Sequence, residues 1–147
     1  MGPHGLFEHA LYRQPRVEHG YCTDDNARAL VITAGVEGPD AEYVFRRCLE
    51  FVAAGWTPRG WRNRMSADGE WTDELGSEDC HGRALWGLGV AARHGRLPAE
   101  LLPAFDQGLQ RRLIAPRAIA YSLLGAVAAL ESADAEEHAR RGIALLT

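Results

Sequence analysis

Three cysteines are all that 147 residues contain, and Cys22, Cys48 and Cys80 are an odd set without CxxC spacing. That favours reduced thiols in a cytoplasmic protein over a disulfide framework or a zinc site. There is no basic run, and the formal net charge is −4, so nucleic acid is not an expected partner. The longest apolar stretch, near Ala118–Leu130, is interrupted by small and polar residues and is too short and mixed to span a bilayer; no membrane partner is expected. The first residues, Met1-Gly2-Pro3-His4-Gly5, lack a charged region followed by an apolar core, so no signal peptide is expected. No glycine-rich strand–turn–helix marks a nucleotide site. A metal site on His81, Asp79 and His9 lacks any HxxxH or HxH spacing, and neither a metal nor a cofactor is expected.

What remains is a soluble, globular composition, 46% hydrophobic and 24% charged, long enough for one domain with its own core. Helix signals alternate with turns. Ala27, Leu30, Val31 and Ala34 recur at helical spacing, with Thr23 or Asp24 as N-cap and Gly35 or Gly38 as stop. A second helix starts at Pro39 and Asp40 and ends at Gly55. A third runs from about Asp79 to His94. Pro98, Pro116 and Asp134 open a fourth, a fifth and a sixth, the last running to the chain end. Between the second and third lies a long loop rich in Trp, Arg and Gly. Its Asp68-Gly69 turn separates possible short strands at Trp61–Met65 and Glu70–Thr72.

The odd-numbered helices are small-residue-rich and apolar nearly all round; the even-numbered ones are amphipathic. A helix that is apolar on every side wants cover on every side. The expected fold is therefore all-α: an array of α-hairpins with an inner apolar row, like about half of an (α/α)6 toroid, carrying a short β-hairpin-like loop near residues 61–72. A six-helix globular bundle is the alternative. A closed ring needs about twelve helices. The chain 1–147 then reads as a single (α/α) domain, a fragment of a larger toroid or one partner of a homo-oligomer that completes the ring. The apolar run Ile143–Leu146 at the chain end suits either.

Two stretches echo each other. Gly20-Tyr21-Cys22-Thr23-Asp24-Asp25-Asn26-Ala27-Arg28-Ala29-Leu30 is matched by Gly76-Ser77-Glu78-Asp79-Cys80-His81-Gly82-Arg83-Ala84-Leu85, with Asp24 falling on Asp79. Together with His4-Gly5-Leu6-Phe7-Glu8-His9-Ala10 and an Asn- and Trp-bearing loop, these words resemble the α-helical domain found beside, or fused to, bacterial and archaeal group 1 glycosyltransferases. That family has (α/α)-toroid relatives among six-hairpin glycosidases. The resemblance covers residues 4–90. It implies sugar chemistry or sugar binding, with carbohydrate as ligand and a glycosyltransferase domain as a possible partner.

Acids at two inner-helix starts would line one mouth of such an array. Glycoside cleavage needs one carboxylic acid to protonate the leaving oxygen and a second carboxylate to activate water or attack carbon. Asp25 and Glu78 are the preferred catalytic pair, because Asp24 and Asp79 align and read as structural in both repeats. His81, beside Glu78 and Asp79, is a general base or a sugar partner. Arg28 and Arg83 lie four positions after Asp24 and Asp79; they read as ion-pair partners or as a clamp on an anionic sugar. Tyr21, Trp61 and Trp71, with Asn63 between the tryptophans, are candidate sugar contacts on a lid. Trp71 as a plug and Trp86 as core are the plainer readings. The same acids could simply cap helices, contributing about 0.5–2 kcal/mol each. Three functions follow: a carbohydrate-active enzyme, a non-catalytic glycan-binding module accessory to a glycosyltransferase, and an interaction domain.

Overall fold

Residues 1–131 are described by the computed structural model of the chain. The first 22 residues hold short strands, turns and a 3-10 turn at Val17–His19, with no α-helix. β1 (Ala10–Leu11) and β2 (Gln14–Pro15) form an antiparallel pair. β3 (Tyr21–Cys22) leads directly into α1 (Thr23–Thr33), and α2 (Pro39–Ala54) follows. The loop after α2 holds β4 (Trp56–Thr57), β5 (Gly60–Trp61) and β6 (Arg64–Met65). Then come α3 (Glu78–Arg93), a 3-10 turn at Ala99–Leu101, α4 (Leu102–Leu109) and α5 (Pro116–Leu130).

The helix starts are fixed by residues suited to them. Pro39 and Pro116 sit in the first turns of α2 and α5, where a missing N–H costs nothing. Ser77 caps α3, its Oγ accepting from the Cys80 N–H at 3.2 Å. α1 is capped from a distance. The Thr23 N–H donates to the Asn63 carbonyl at 2.9 Å, and the Asp24 N–H donates to Asn63 Oδ1 at 3.2 Å. The loop that carries Asn63 is thus part of the start of α1.

α3 lies at the centre, packed on α5, α1 and α4, while α2 packs on α1. Its buried face includes Leu85, Leu88, Ala84 and Ala91, which meet Leu30, Phe105 and Trp61 in the main core. A smaller core joins Tyr21, Phe51 and Met65 to Phe7 and Trp71. The backbones of α3 and α5 all but touch: a Cβ on Gly89 would collide with the carbonyl oxygen of Gly125.

The expected all-α array is overturned. Three two-stranded antiparallel sheets accompany five α-helices among the described residues, so the architecture is mixed. The segment before Thr23 has no helical periodicity, and its backbone groups find partners across strands instead. β3 pairs with β6 in the register Tyr21↔Met65 and Cys22↔Arg64, and β4 pairs with β5. Single bridges Phe7↔Tyr21 and Met65↔Trp71 widen the strip around β3 and β6 on both sides. The expected hairpin at 61–72 is only part of this: Ser66 and Gly69 close the turn, but β6 pairs mainly with β3. The half-toroid reading, and with it a dimer that completes a ring, loses its basis. The sixth helix predicted from Asp134 lies outside the described residues.

Replacing Gly89 with alanine forces a methyl into the Gly125 backbone. The expected cost is about 1–3 kcal/mol of stability, read as a lower urea midpoint with an unchanged slope.

Candidate functional site

The aligned acids Asp24 and Asp79 do come together, on one arginine. Arg83 Nη1 lies 3.0 Å from Asp24 Oδ1 on α1, and its Nη2 lies 3.8 Å from Asp79 Oδ2 one turn earlier on α3. Arg117, from the first turn of α5, pairs with the same Asp79 oxygen. The Arg83 guanidinium also lies over the Tyr121 ring, 5.1 Å from its centroid. Burial opposes the charge on Arg83, but Tyr121 and Asp24 outweigh it and hold its pKa above the ordinary value. Asn63 completes the knot by donating from Nδ2 to Asp24 Oδ2 at 3.3 Å. Arginines tie three helices here, and Asn63 ties the loop to them. The sequence contains no lysine, so its sixteen basic residues are all arginine.

Asp25 points elsewhere. It pairs with Arg28 one turn on and accepts from Cys22 Sγ at 3.3 Å. It lines a cleft of about 460 Å³ between α1 and the N-terminal segment. Leu6, Phe7, Ala29 and Ile32 supply apolar walls; Glu8, His9, Asp25 and Arg28 supply polar groups. Glu8 is held by Arg64 of β6. His9 packs edge-on to His19 at 4.8 Å. The wall stands where it does because Asn26, fully buried, accepts from the Leu6 N–H at 2.9 Å and donates to the carbonyls of Leu6 and Cys22.

Glu78 is spent on the backbone. Its Oε2 accepts from the N–H groups of Ile114 (2.9 Å) and Ala115 (2.6 Å), just before α5. It therefore anchors the turn that leads into α5. Those amides, that of Ala115 foremost, hold the Glu78 carboxyl below the ordinary carboxylate value. This is the opposite of a general acid, whose pKa must be raised. His81 is buried at 1% exposure, with Nε2 2.9 Å from the Gly108 carbonyl. Burial pushes its pKa down.

The expected aromatic contacts are mostly core. Tyr21 and Trp61 are each 1% exposed. Tyr21 stacks on Phe7 at 4.5 Å, and Trp61 donates its indole N–H to the Val52 carbonyl at 3.0 Å. Neither offers a face to a sugar ring. Trp71 packs against Phe51 with Arg62 over its ring, as the plug reading has it. Trp86 stacks on Tyr121. Of the residues singled out in the sequence, Asp24, Asp79, Arg83 and Asn63 form one cluster, Asp25 and Arg28 line a cleft, and Glu78 is engaged at α5. Glu8 and Asn26 lie in segments quoted for their resemblance, but only the fold assigns them work.

Among the described residues no group of three His, Cys, Asp or Glu side chains is placed to hold a metal ion, and no helix is long and apolar enough to cross a membrane. All three thiols are buried, and burial pushes Cys48 up to about 12. Compared with protein-family models, with curated proteins and with solved structures, the chain matches none.

Two outcomes are expected of variants in these clusters. Arg83→Met, which leaves Asp24 and Asp79 short of a partner, lowers stability by about 1–2 kcal/mol in urea titrations. Glu78→Ala lowers Tm near neutral pH. The stability from Glu78 is fully present above its ordinary pKa of 4.5 and is lost as pH falls through the depressed folded value. The gap in Tm between variant and wild type should therefore close as the pH of the melts is lowered through that range.

Proposed function

We propose that the chain is a glycan-binding module whose site is the cleft between α1 and the N-terminal segment. The observation that carries this reading is the cleft's mixed lining, in which Asp25, Glu8, Arg28 and His9 stand over Leu6, Phe7, Ala29 and Ile32. Sugars present hydroxyls to charged acceptors and donors and apolar C–H faces to hydrophobic walls. A volume of about 460 Å³ falls within the usual range for small-ligand pockets. The resemblance to glycosyltransferase-associated domains points the same way and makes a glycosyltransferase domain the proposed partner. A cytoplasmic setting, consistent with three free thiols, belongs to the same proposal.

Acid–base catalysis by Asp25 with Glu78 is not part of it, because Glu78 is committed to the α5 amides. A hydrolytic reading keeps one support: Glu8 and Asp25 are two carboxylates lining the same cleft. Each is already engaged by an arginine, which suits fixed acceptors better than a proton donor.

Screening neutral and acidic oligosaccharides against the wild-type chain, followed by calorimetry on any that bind, tests the reading. Asp25→Asn and Arg28→Ala should each weaken binding by roughly tenfold or more while leaving Tm nearly unchanged. Binding that is indifferent to both substitutions removes the cleft as the site. Oligosaccharide cleavage that Asp25→Asn abolishes would replace the binding reading with the hydrolytic one.

A further inference from the structure

A second cavity, of about 430 Å³, opens where the loop after α2 meets the end of α4. His81 lines it from α3, and the other polar groups are Arg59, Gln107, Gln110 and Arg111, with the Trp56 indole alongside. The residues of the first cleft take no part in it.

The chemistry of His81 makes this cavity unusual. The Gly108 carbonyl can only accept, so the Nε2 at 2.9 Å from it carries the hydrogen. In the neutral imidazole the lone pair is then on Nδ1, and that atom is buried with no hydrogen-bond partner. An unsatisfied buried acceptor is costly, and native structures retain few of them. Gly60 marks where it points: a methyl group there would lie 3.1 Å from Nδ1 and collide with Arg111 Nη1. An acceptor and a cationic donor thus face one spot beside the Gly60 Cα. Arg111 is steadied by donating to the Arg59 carbonyl at 2.9 Å, and Gln107 by donating to the Pro58 carbonyl at 3.3 Å. The charged groups near the imidazole are Arg111, after α4, and Glu78 on its own helix, whose carboxylate is taken up by the α5 amides.

We propose that this cavity binds a monosaccharide carrying one acidic group, with the acid on the guanidinium groups of Arg111 and Arg59 and a hydroxyl donating to His81 Nδ1. Guanidinium forks match carboxylate and phosphate oxygens, the two primary amides serve further hydroxyls, and the indole offers a face to the ring. To admit the hydroxyl, Arg111 turns toward the ligand's acid and gives up its bond to the Arg59 carbonyl. The acid could be a carboxylate or a phosphate monoester, and the probes separate the two.

Calorimetry with glucuronate, glucose 6-phosphate, glucose and inorganic phosphate tests this on the wild-type chain, on Arg111→Gln and on His81→Gln. Glutamine at 81 can still donate to the Gly108 carbonyl but has no counterpart of Nδ1. One or both acidic sugars should bind, with glucose and inorganic phosphate at least roughly tenfold weaker. Both substitutions should reduce the affinity, also by roughly tenfold or more. In the wild type, the ¹⁵N resonance of His81 Nδ1 should move on addition of the acidic sugar, a readout that does not depend on His81→Gln folding. Asp25→Asn should leave this binding intact, so failure here and failure of the α1 cleft are distinguishable. Absence of binding by both acidic sugars, unchanged affinity in Arg111→Gln, or a stationary Nδ1 resonance overturns the proposal.

Discussion

The close approach of α3 to its two neighbours governs the arrangement. Gly89 faces Gly125 on one side, and Gly87 faces the Ala27 backbone on the other, so side-chain bulk at these crossings is minimal. Close-packed backbones leave little room for sliding. The starts of α1, α3 and α5 are consequently held within reach of one another. One arginine can then span two helices, and one glutamate can hold the turn before a third.

That proximity explains why three of the acids at the helix starts, Asp24, Glu78 and Asp79, reach neighbouring elements, while Asp25 stays with Arg28 on its own helix. Helix starts carry partial positive charge, and carboxylates gather there for that reason alone. Here the charge is used laterally. Asp24 reaches Arg83 on α3, Asp79 reaches Arg117 on α5, and Glu78 reaches the amides before α5. Such links add most stability when each member is satisfied, and here Asp24 Oδ1 meets Arg83 as an ion pair without a hydrogen bond while Arg83 Nε is buried with no partner. The all-arginine composition suits this, since a planar fork serves two acids at once and an ammonium does so less well.

Much of the local structure was legible in the sequence. Apolar periodicity, prolines in the first turns and glycine stops place α1, α2, α3 and α5 within a residue or two of their observed bounds. α4 starts later than Pro98 suggests, with a 3-10 turn before it, because a second proline at Pro103 allows the α-helix to start only at Leu102. The N-terminal segment was not legible. Two-residue strands carry no usable alternation, and the pairing of β3 with β6 joins residues some forty positions apart. Helical periodicity alone therefore points to an all-α array where the architecture is mixed, since a pattern of helices says nothing about what covers their ends. The site divides in the same way. Asp79 and Arg83 pair at the spacing of four read from the sequence, but Asp24 takes Arg83 and Arg28 takes Asp25, and the engagement of Glu78 depends on where α5 begins in space.

Asn26 and Asn63 show how the two levels connect. Both are buried amides, and each ties a non-helical segment to the first turn of α1: Asn26 holds the N-terminal segment at Leu6, and Asn63 holds the loop after α2. A primary amide can accept and donate along one edge, so it can mimic a strand neighbour while sitting on a helix. The cleft of Asp25 therefore has a wall fixed by hydrogen bonds to buried groups, which resists collapse when the cleft is empty of ligand. A preformed wall of this kind lowers the ordering cost of binding.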